Sequence, residues 1–277
     1  MEAIVVDDGS SDRAVLQQII AGREEIRLIE HESNRGMCAA RNSGIAEAAG
    51  DLIVILDADD ELVSNWPAVL TEILEQWPAE CQLCYAACQN QLGIVTASEP
   101  DYQGFLTLDD ILNERHSGEY LPIFRGSYVR RKPYVDLGMR KSCGIVSYIN
   151  FAQDGPFWIS SKVLRIYHEL QEGSVTSGWA SAAKAAETAR CYAELFERYG
   201  DLYKTCAPEV YRSKLLRLAV YLRLAGLSGA WRAFREGASV HVLKETAGTA
   251  FMLLAGARIA GRVIPFLKSV GAVRRYG

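Results

Sequence analysis

Two apolar segments that each end in a cluster of acidic residues place the strongest constraint on the fold of this chain. The first is IVVDDGSSD, which begins at residue 4, and the second is LIVILDADD, which begins at residue 52. Continuous runs of Val, Ile and Leu are typical of buried strands in a parallel sheet that has helices on both faces. Because parallel strands end at the same edge of a sheet, we expect the acidic residues to meet there: Asp7, Asp8, Asp57, Asp59 and Asp60.

Segments with helical periodicity alternate with these strands and set the fold class. The pattern predicts strands at 3–7, 26–30, 51–57 and 82–88, and helices at about 11–21, 36–48 and 65–76. Further along, it predicts short strands at 126–130 and 156–168, a helix at 146–153 and a long helix from about 177 to 199. The alternation indicates an α/β protein with a doubly wound, mainly parallel sheet. We expect this domain at 1–176, followed by a helical region at 177–277.

The composition indicates the cellular compartment of the protein and the role of its cysteines. The N-terminus lacks the basic stretch and apolar core of a signal peptide, so we expect a cytoplasmic protein. The seven cysteines are scattered, which favours reduced thiols over a disulfide framework. Three of them, Cys81, Cys84 and Cys88, fall in a predicted strand with no His or second Cys pair nearby. This spacing favours buried structural cysteines over a zinc site.

The acidic cluster suggests a divalent cation. Several carboxylates in one crevice repel each other and would repel a diphosphate, so a phosphate ligand there would require a bound cation. Oxygen ligands favour Mg²⁺ or Mn²⁺. The alternative interpretation is that the acids only form turns and helix caps, which is the commoner role of an isolated Asp-x-Asp.

A third motif, NRGMCAARNSG, lies between the two acidic clusters, at the entrance to a predicted helix. Its Arg41 is placed to reach a phosphate, and its glycines allow the backbone to approach a ligand closely. This motif favours a ligand site over simple turn formation.

Taken in order, VVDDGSSD, NRGMCAARNSG and DADD strongly resemble the family 2 glycosyltransferases of the GT-A fold. The resemblance covers about residues 3–62, with a looser match to about 176. It implies transfer of a sugar from a nucleoside diphosphate sugar to an acceptor hydroxyl, with inversion at the anomeric carbon. It also implies that Asp8, with Asp7, holds the base and ribose, that Arg41 lies near the nucleotide, and that Asp57 and Asp59 form the DxD motif. Either Asp59 or Asp60 would be the direct metal ligand.

The catalytic base departs from the family pattern. The family carries a Glu-Asp pair at the start of a helix, and the corresponding positions here are Val146 and Ser147, neither of which accepts a proton at neutral pH. Asp154 is the carboxylate nearest to them and is the candidate substitute, although a loop Asp before Gly155 is the simpler interpretation. His168 lies near a position where the family often has a histidine, but its spacing favours a structural residue at a strand end.

The amino terminus is the second departure. Family members carry one more strand and helix before the DDGS strand, and that extra strand lies between the strands of Asp7 and Asp57. Without it, the two strands would face each other across a gap with unpaired backbone groups. We therefore expect the 277 residues to be an N-terminally incomplete reading frame.

Charge is distributed unevenly along the chain. Residues 209–277 hold 12 Lys and Arg against 3 Asp and Glu, a net charge of +9, whereas residues 1–208 hold 18 against 31, a net charge of −13. The segment LKETAGTAFMLLAGARIAGRVIPFLK is interrupted by Arg258 and is too short in apolar residues for a transmembrane helix. It predicts peripheral contact with an anionic membrane at its inner face, or else a helical bundle without membrane contact.

Other classes fit less well. A nucleotidyltransferase would carry a GxGTR-type phosphate loop and a dehydrogenase would carry GxGxxG, and neither motif is present. The sequence therefore favours a glycosyltransferase that acts on a sugar or lipid-linked acceptor in polysaccharide or glycoconjugate assembly. The alternative is a catalytically inactive remnant that binds only a nucleotide or a partner.

Overall fold

The computed structural model describes residues 1–140, 143–168 and 181–255. The chain divides into two compact units, Met1–Gln171 and Glu172–Gly277. The predicted domain boundary at residue 176 falls in 169–180, outside the described residues.

The first unit alternates strands and helices and confirms the predicted α/β class. Its predicted strands at 3–7 and 26–30 match observed strands at both ends. In chain order, its elements are β1 (Ala3–Asp7), α1 (Arg13–Ile20), β2 (Ile26–Glu30), α2 (Met37–Glu47), β3 (Leu52–Val54), β4 (Glu61–Leu62), α3 (Trp66–Gln76), β5 (Leu83–Asn90), β6 (Gly104–Leu106), α4 (Leu108–Leu112), β7 (Tyr120–Arg125), α5 (Gly126–Val129), α6 (Gly144–Ala152) and β8 (Phe157–Tyr167).

Two sheets form this unit. Strands β1 and β2 pair in parallel as a sheet of their own, and six strands form the other sheet in the order β3-β7-β5-β8-β4, with β6 on β8. Within the larger sheet β5 and β8 run parallel, while the other pairs are antiparallel. The sheet is therefore mixed, whereas the sequence predicted a mainly parallel one.

Strand β7 accounts for this difference. It runs antiparallel between β3 and β5, so that β3, β5 and β8 all start at one edge of the sheet. The predicted strand at 126–130 is wrong, because the chain turns into helix α5 there. Gly126 makes this turn possible: its amide donates to the Asp51 carbonyl at 2.7 Å, and a Cβ on Gly126 would lie only 2.2 Å from the Gly50 oxygen.

No backbone ladder joins β1 to β3 among the described residues, since β1 pairs only with β2 and β3 only with β7. The two strands nevertheless start close together. The Glu2 carboxylate accepts hydrogen bonds from the amides of Ala49 and Gly50 at 2.7 and 3.0 Å, immediately before β3. Helix α2 relates their carboxyl ends: the Gly36 amide before its start donates to Asp8, directly after β1, and Arg41 within it donates to Asp57, which follows β3.

Three cysteines in β5 or just before it belong to the apolar core. Cys81, Cys84 and Cys88 are fully buried and pack with Ile73 and Leu121 in one cluster. None of the seven cysteines, all of which lie among the described residues, forms a disulfide. Burial raises the pKa of Cys81 and of Cys88 to about 11, so both thiols are protonated at neutral pH. These observations agree with buried structural cysteines.

The second unit is helical over its described residues. Ser181 caps its first helix by accepting a hydrogen bond from the Lys184 amide. Small alanines from two helices, Ala219 of the second and Ala230 and Ala233 of the third, pack with Leu253 of the fourth in its core. Among the described residues, no helix is both long and apolar enough to cross a bilayer. The helices are α7 (Ala182–Cys206), α8 (Pro208–Leu224), α9 (Ala230–Gly237) and α10 (Leu243–Ala255), with a 3-10 turn at Val240–Val242 before α10.

Candidate functional site

Asp7 ends strand β1 and closes the turn that follows it. Its carboxylate is buried and accepts hydrogen bonds from the Ser10 amide at 2.9 Å and from the Arg13 Nε at 3.0 Å. The Ser10 hydrogen bonds, together with Arg13, hold the pKa of Asp7 below its usual value despite burial. The buried Asp7 carboxylate therefore stabilises the DDGS turn.

Asp8 holds the next motif in place. One carboxylate oxygen accepts from the Arg35 amide at 2.9 Å and contacts His31 Nδ1 at 2.7 Å, and the other accepts from the Gly36 amide at 2.8 Å. Burial alone would raise the pKa of Asp8, but these three hydrogen bonds lower it below its usual value. Gly36 has a φ of 98°, and a Cβ there would lie 2.0 Å from the Met139 carbonyl oxygen, so glycine is required.

His31 is a residue of this site that the sequence did not reveal. It is buried directly after β2, and its Nε2 lies 2.9 Å from the Ser43 hydroxyl while its Nδ1 contacts Asp8. The ring thus connects the carboxyl end of β1 with helix α2. The only sequence signal was a polar residue directly after a predicted strand.

Arg41 links helix α2 to the second acidic cluster. Its guanidinium donates to Asp57 Oδ1 at 2.8 Å and lies 5.4 Å from the centre of the Tyr134 ring. Its Nε is buried without a hydrogen-bond partner among the described atoms. The Asp57 side chain is 42% exposed, so it keeps a face open to a ligand while it pairs with Arg41.

The remaining acids of the DADD loop (Asp57–Asp60) face opposite ways. Asp59 is exposed and makes no hydrogen bond or ion pair with the described residues. Asp60 is buried, pairs with Arg165 at 3.1 Å and accepts from the His168 amide at 3.0 Å. Burial raises the pKa of Asp60, although the His168 amide and Arg165 oppose the rise.

A cation at this edge would depend on few protein ligands. Within the described residues, no group of three or more His, Cys, Asp or Glu side chains is arranged to hold a metal ion. The accessible carboxylates are those of Asp57 and Asp59, and they are oxygen donors of the kind that Mg²⁺ and Mn²⁺ prefer. This donor set fits a cation that shares its coordination with phosphate oxygens and water.

Asp154 lies at the opposite edge of the sheet. It precedes the start of β8, and the ladders align the starts of β3, β5 and β8, whereas Asp57 follows the end of β3. At about 3.3 Å per residue, the two acids are separated by on the order of 20 Å. Asp154 pairs with Lys132 at 2.5 Å and accepts from the Tyr128 hydroxyl at 2.8 Å, and the Lys132 contact lowers its pKa. This placement does not support the prediction that Asp154 is the base.

The positions where the family carries its acids lie in the first half of α6. Val146 and Ser147 are fully buried, and the Ser147 hydroxyl accepts from the Val135 amide at 2.9 Å. His168 directly follows β8 beside the DADD loop, with its Nε2 at 3.1 Å from Glu61 Oε1, which agrees with a residue at a strand end.

Comparisons with known proteins identify the first unit. Residues 1–138 match the family model described as Glycosyl transferase family 2. A GalNAc(5)-diNAcBac-PP-undecaprenol beta-1,3-glucosyltransferase of Campylobacter jejuni is 25% identical over 64% of this chain and 58% of its own length. An uncharacterized glycosyltransferase of Haemophilus influenzae is 33% identical over 36% of this chain and 42% of its own length. The chain therefore spans 58% of the length of the first relative and 42% of the length of the second.

Solved structures agree on the fold. TarS 1-349 of S. aureus, crystallised with UDP-GlcNAc, matches 90% of this chain and 70% of its own with a TM-score of 0.53 at 13% identity. GalNAc-T7, crystallised with UDP, GalNAc and Mn²⁺, matches 85% of this chain and 48% of its own with a TM-score of 0.52 at 16% identity. At these identities the likeness establishes a GT-A-like α/β fold.

Proposed function

We propose that this chain, which belongs to glycosyltransferase family 2 through its residues 1–138, transfers a sugar from a nucleoside diphosphate sugar to an acceptor hydroxyl with inversion at the anomeric carbon. The observation that carries the proposal is the way in which helix α2 relates the carboxyl ends of β1 and β3. There Asp8 fixes the Arg35–Gly36 loop, and Arg41 pairs with a half-exposed Asp57. The largely buried Arg41 guanidinium can interact with the phosphates of a nucleotide, and the accessible Asp57 carboxylate beside it can bind a cation.

Each residue contributes to binding in its own way. Asp7 and Asp8 form the base and ribose side of the site through the turns they hold. Arg41, through its contact with Asp57, brings a positive charge to the nucleotide side of the site. Asp57 and Asp59 are the DxD acids that hold Mn²⁺ or Mg²⁺ with the diphosphate. The cation supplies positive charge that stabilises the diphosphate as it leaves.

An inactive, nucleotide-binding remnant is the second candidate. It is favoured by the burial of Val146 and Ser147, where the family has its acids, and by the position of Asp154 at the other edge of the sheet. An inverting transfer needs a group that removes the proton of the acceptor hydroxyl. If no group does so, the site binds the donor without transfer.

The acceptor side of the proposal concerns lipid-linked sugars. One relative is named for a substrate carried on undecaprenol diphosphate, which supports a lipid-linked acceptor and a role in polysaccharide or glycoconjugate assembly. We infer that the protein acts in the cytoplasm, at the inner face of the membrane, and contacts the membrane through its C-terminal region.

Helix α10 carries the proposed membrane contact. Leu243, Ala247, Phe251 and Leu254 recur at spacings of four and three, which puts them on one side of the helix, and all are exposed. Thr249, Met252 and Leu253 are buried by contrast. The next 22 residues, 256–277, contain five Lys and Arg and no Asp or Glu. An apolar stripe followed by positive charge is complementary to an anionic bilayer surface.

A turnover assay separates the two candidates. The purified chain is incubated with Mn²⁺ and a set of nucleoside diphosphate sugars, and released nucleoside diphosphate is measured while binding is measured by calorimetry. Turnover that Asp59→Ala abolishes supports the enzyme, and binding without turnover supports the remnant. Absence of both binding and turnover for every nucleotide tested would overturn the proposal.

A further inference from the structure

Arg165 is a buried cation on β8 whose guanidinium contacts three different groups. It lies 3.1 Å from Asp60 Oδ2, 3.1 Å from the Cys88 sulfur and 3.4 Å from Glu119 Oε2. The Arg165 side chain is 4% exposed and that of Asp60 is 1% exposed, whereas Glu119 is largely exposed. The Asp60 contact is therefore the fully buried ion pair of this group.

A buried ion pair is a costly way to gain stability. Desolvation opposes the attraction between the charges, and apolar residues of the same volume often stabilise a core as well or better. A buried ion pair can instead serve to hold a segment in one conformation rather than another. Here the carboxylate belongs to the DADD loop, and the guanidinium belongs to a strand in the middle of the sheet.

The DADD loop crosses the carboxyl edge of the sheet between β3 and β4. It is closed as a turn, because the Asp60 amide donates to the Asp57 carbonyl at 3.1 Å. Asp59 lies inside this turn and is exposed. At its far end the loop is tied to β8 by the Arg165 pair and by the His168 amide, which also donates to Asp60.

We propose that Arg165 is a positioning residue of the donor site: through Asp60 it fixes the turn that aims Asp57 and Asp59 at the cation and diphosphate. This inference rests on the proposed function. It separates the roles of the two adjacent acids, since Asp59 faces the ligand and Asp60 faces the protein. Arg165 itself touches no ligand.

The test combines three variants. Arg165→Met leaves the Asp60 carboxylate buried without its partner, so the double variant Asp60→Asn/Arg165→Met removes both charges and keeps the fold measurable. Arg165→Lys keeps one positive charge but not the planar contacts of the guanidinium. The control is Lys162→Met/Glu72→Gln, which removes an exposed ion pair formed by the same strand.

Two measurements are made on each variant: calorimetric binding of UDP in the presence of Mn²⁺, and hydrogen exchange of the amides of residues 57–62. We expect the double variant to melt as a folded protein, to bind UDP about tenfold or more weakly and to exchange faster in the loop. Arg165→Lys should recover part of the affinity, and the control should match the wild type.

The outcomes separate this inference from the proposed function. Wild-type affinity and loop protection in the double variant would overturn the role of Arg165 while leaving the nucleotide site intact. Equal losses in the double variant and in the control would also overturn it, because they would indicate a general loss of structure. Failure of the wild type to bind any nucleoside diphosphate would instead count against the proposed function.

Discussion

Arg41 donates to Asp57 at 2.8 Å, and this contact joins helix α2 to the loop that follows β3. Because the two residues come from different sequence motifs, their pairing brings the NRGMCAARNSG and DADD segments together at one edge. The first prediction follows from this contact. Arg41→Ala should weaken binding of UDP with Mn²⁺ by about 10- to 100-fold, because a charge-assisted partner of the loop and the donor is lost.

The control for Arg41→Ala is Arg27→Ala, which removes an exposed arginine that pairs with Glu2 and Glu47. Exposed pairs of this kind contribute about 0 to 1 kcal/mol, so the control should bind as the wild type does. Calorimetry gives both affinities. If Arg41→Ala and the wild type bound UDP with equal affinity, this result would contradict a role for Arg41 in nucleotide binding.

Replacement of Asp154 tests whether the edge of the sheet opposite to Asp57 takes part in catalysis. Since it is paired with Lys132 far from Asp57, Asp154→Asn should change the rate of sugar-nucleotide turnover by less than about threefold. Its exposed ion pair should contribute at most about 1 kcal/mol to the free energy of unfolding. Steady-state turnover and a denaturant titration check the two effects. A loss of turnover of about a hundredfold with an unchanged melting temperature would make Asp154 the base after all.

Acid should destabilise the first unit through Asp7 and Asp8. Both carboxyl groups have a pKa below the usual 3.8 in the folded protein, so the folded state favours their charged forms. Their stabilisation is therefore fully present above about pH 4 and is lost as the pH falls through the folded pKa values.

Asp8→Asn isolates that contribution. We expect this variant to lose about 1 to 2 kcal/mol of unfolding free energy at pH 7 and to show a smaller drop below pH 4 than the wild type. The exposed Asp101→Asn serves as its control. Denaturant titrations from pH 7 to pH 3 provide the comparison, and an unchanged pH dependence in Asp8→Asn would contradict this assignment.

The stripe on α10 predicts binding to anionic vesicles. Replacing Leu243, Phe251 and Leu254 with Ser should reduce co-sedimentation with phosphatidylglycerol vesicles several-fold, since less apolar surface is available to insert. Leu92 and Ile94, exposed apolar residues of the first unit, provide a matched Ser control. Wild-type protein that binds neutral and anionic vesicles equally, or not at all, would contradict the proposed contact.

Much of the fold was predictable because local patterns determined it. Strand β1 is an apolar run and β2 has apolar residues interrupted by Arg27, both are bounded by polar turns, and the sequence predicts the two ends of each. The sequence does not predict β7 because YLPIFR contains a proline, which is uncommon inside strands, and the predicted strand falls on the next segment, 126–130, where the chain is helical. Its position between β3 and β5 depends on long-range pairing, which periodicity does not report.

In the candidate site, too, the contacts between residues far apart in the chain could not be predicted from the sequence. The sequence indicated that Asp7, Asp8 and Asp57 would meet at one edge, because strand direction fixes where strand ends lie. It did not distinguish Asp59 from Asp60, because the residue that buries Asp60 is Arg165, more than a hundred residues further along the chain. The contact of His31 with Asp8 was equally invisible, since it depends on the packing of β2 against β1.

The most direct test of the account is the dependence of nucleotide binding on metal and on Asp59. Calorimetric titration of UDP into the wild-type chain should show binding with Mn²⁺ and weaker binding by about tenfold or more with EDTA. Asp59→Ala should bind about as weakly with Mn²⁺ as the wild type does with EDTA, while keeping its melting temperature, because the Asp59 side chain is exposed and without a partner among the described residues. Binding of UDP by the wild type that is indifferent to Mn²⁺ and unchanged in Asp59→Ala would contradict the assignment of this edge as a metal-dependent donor site.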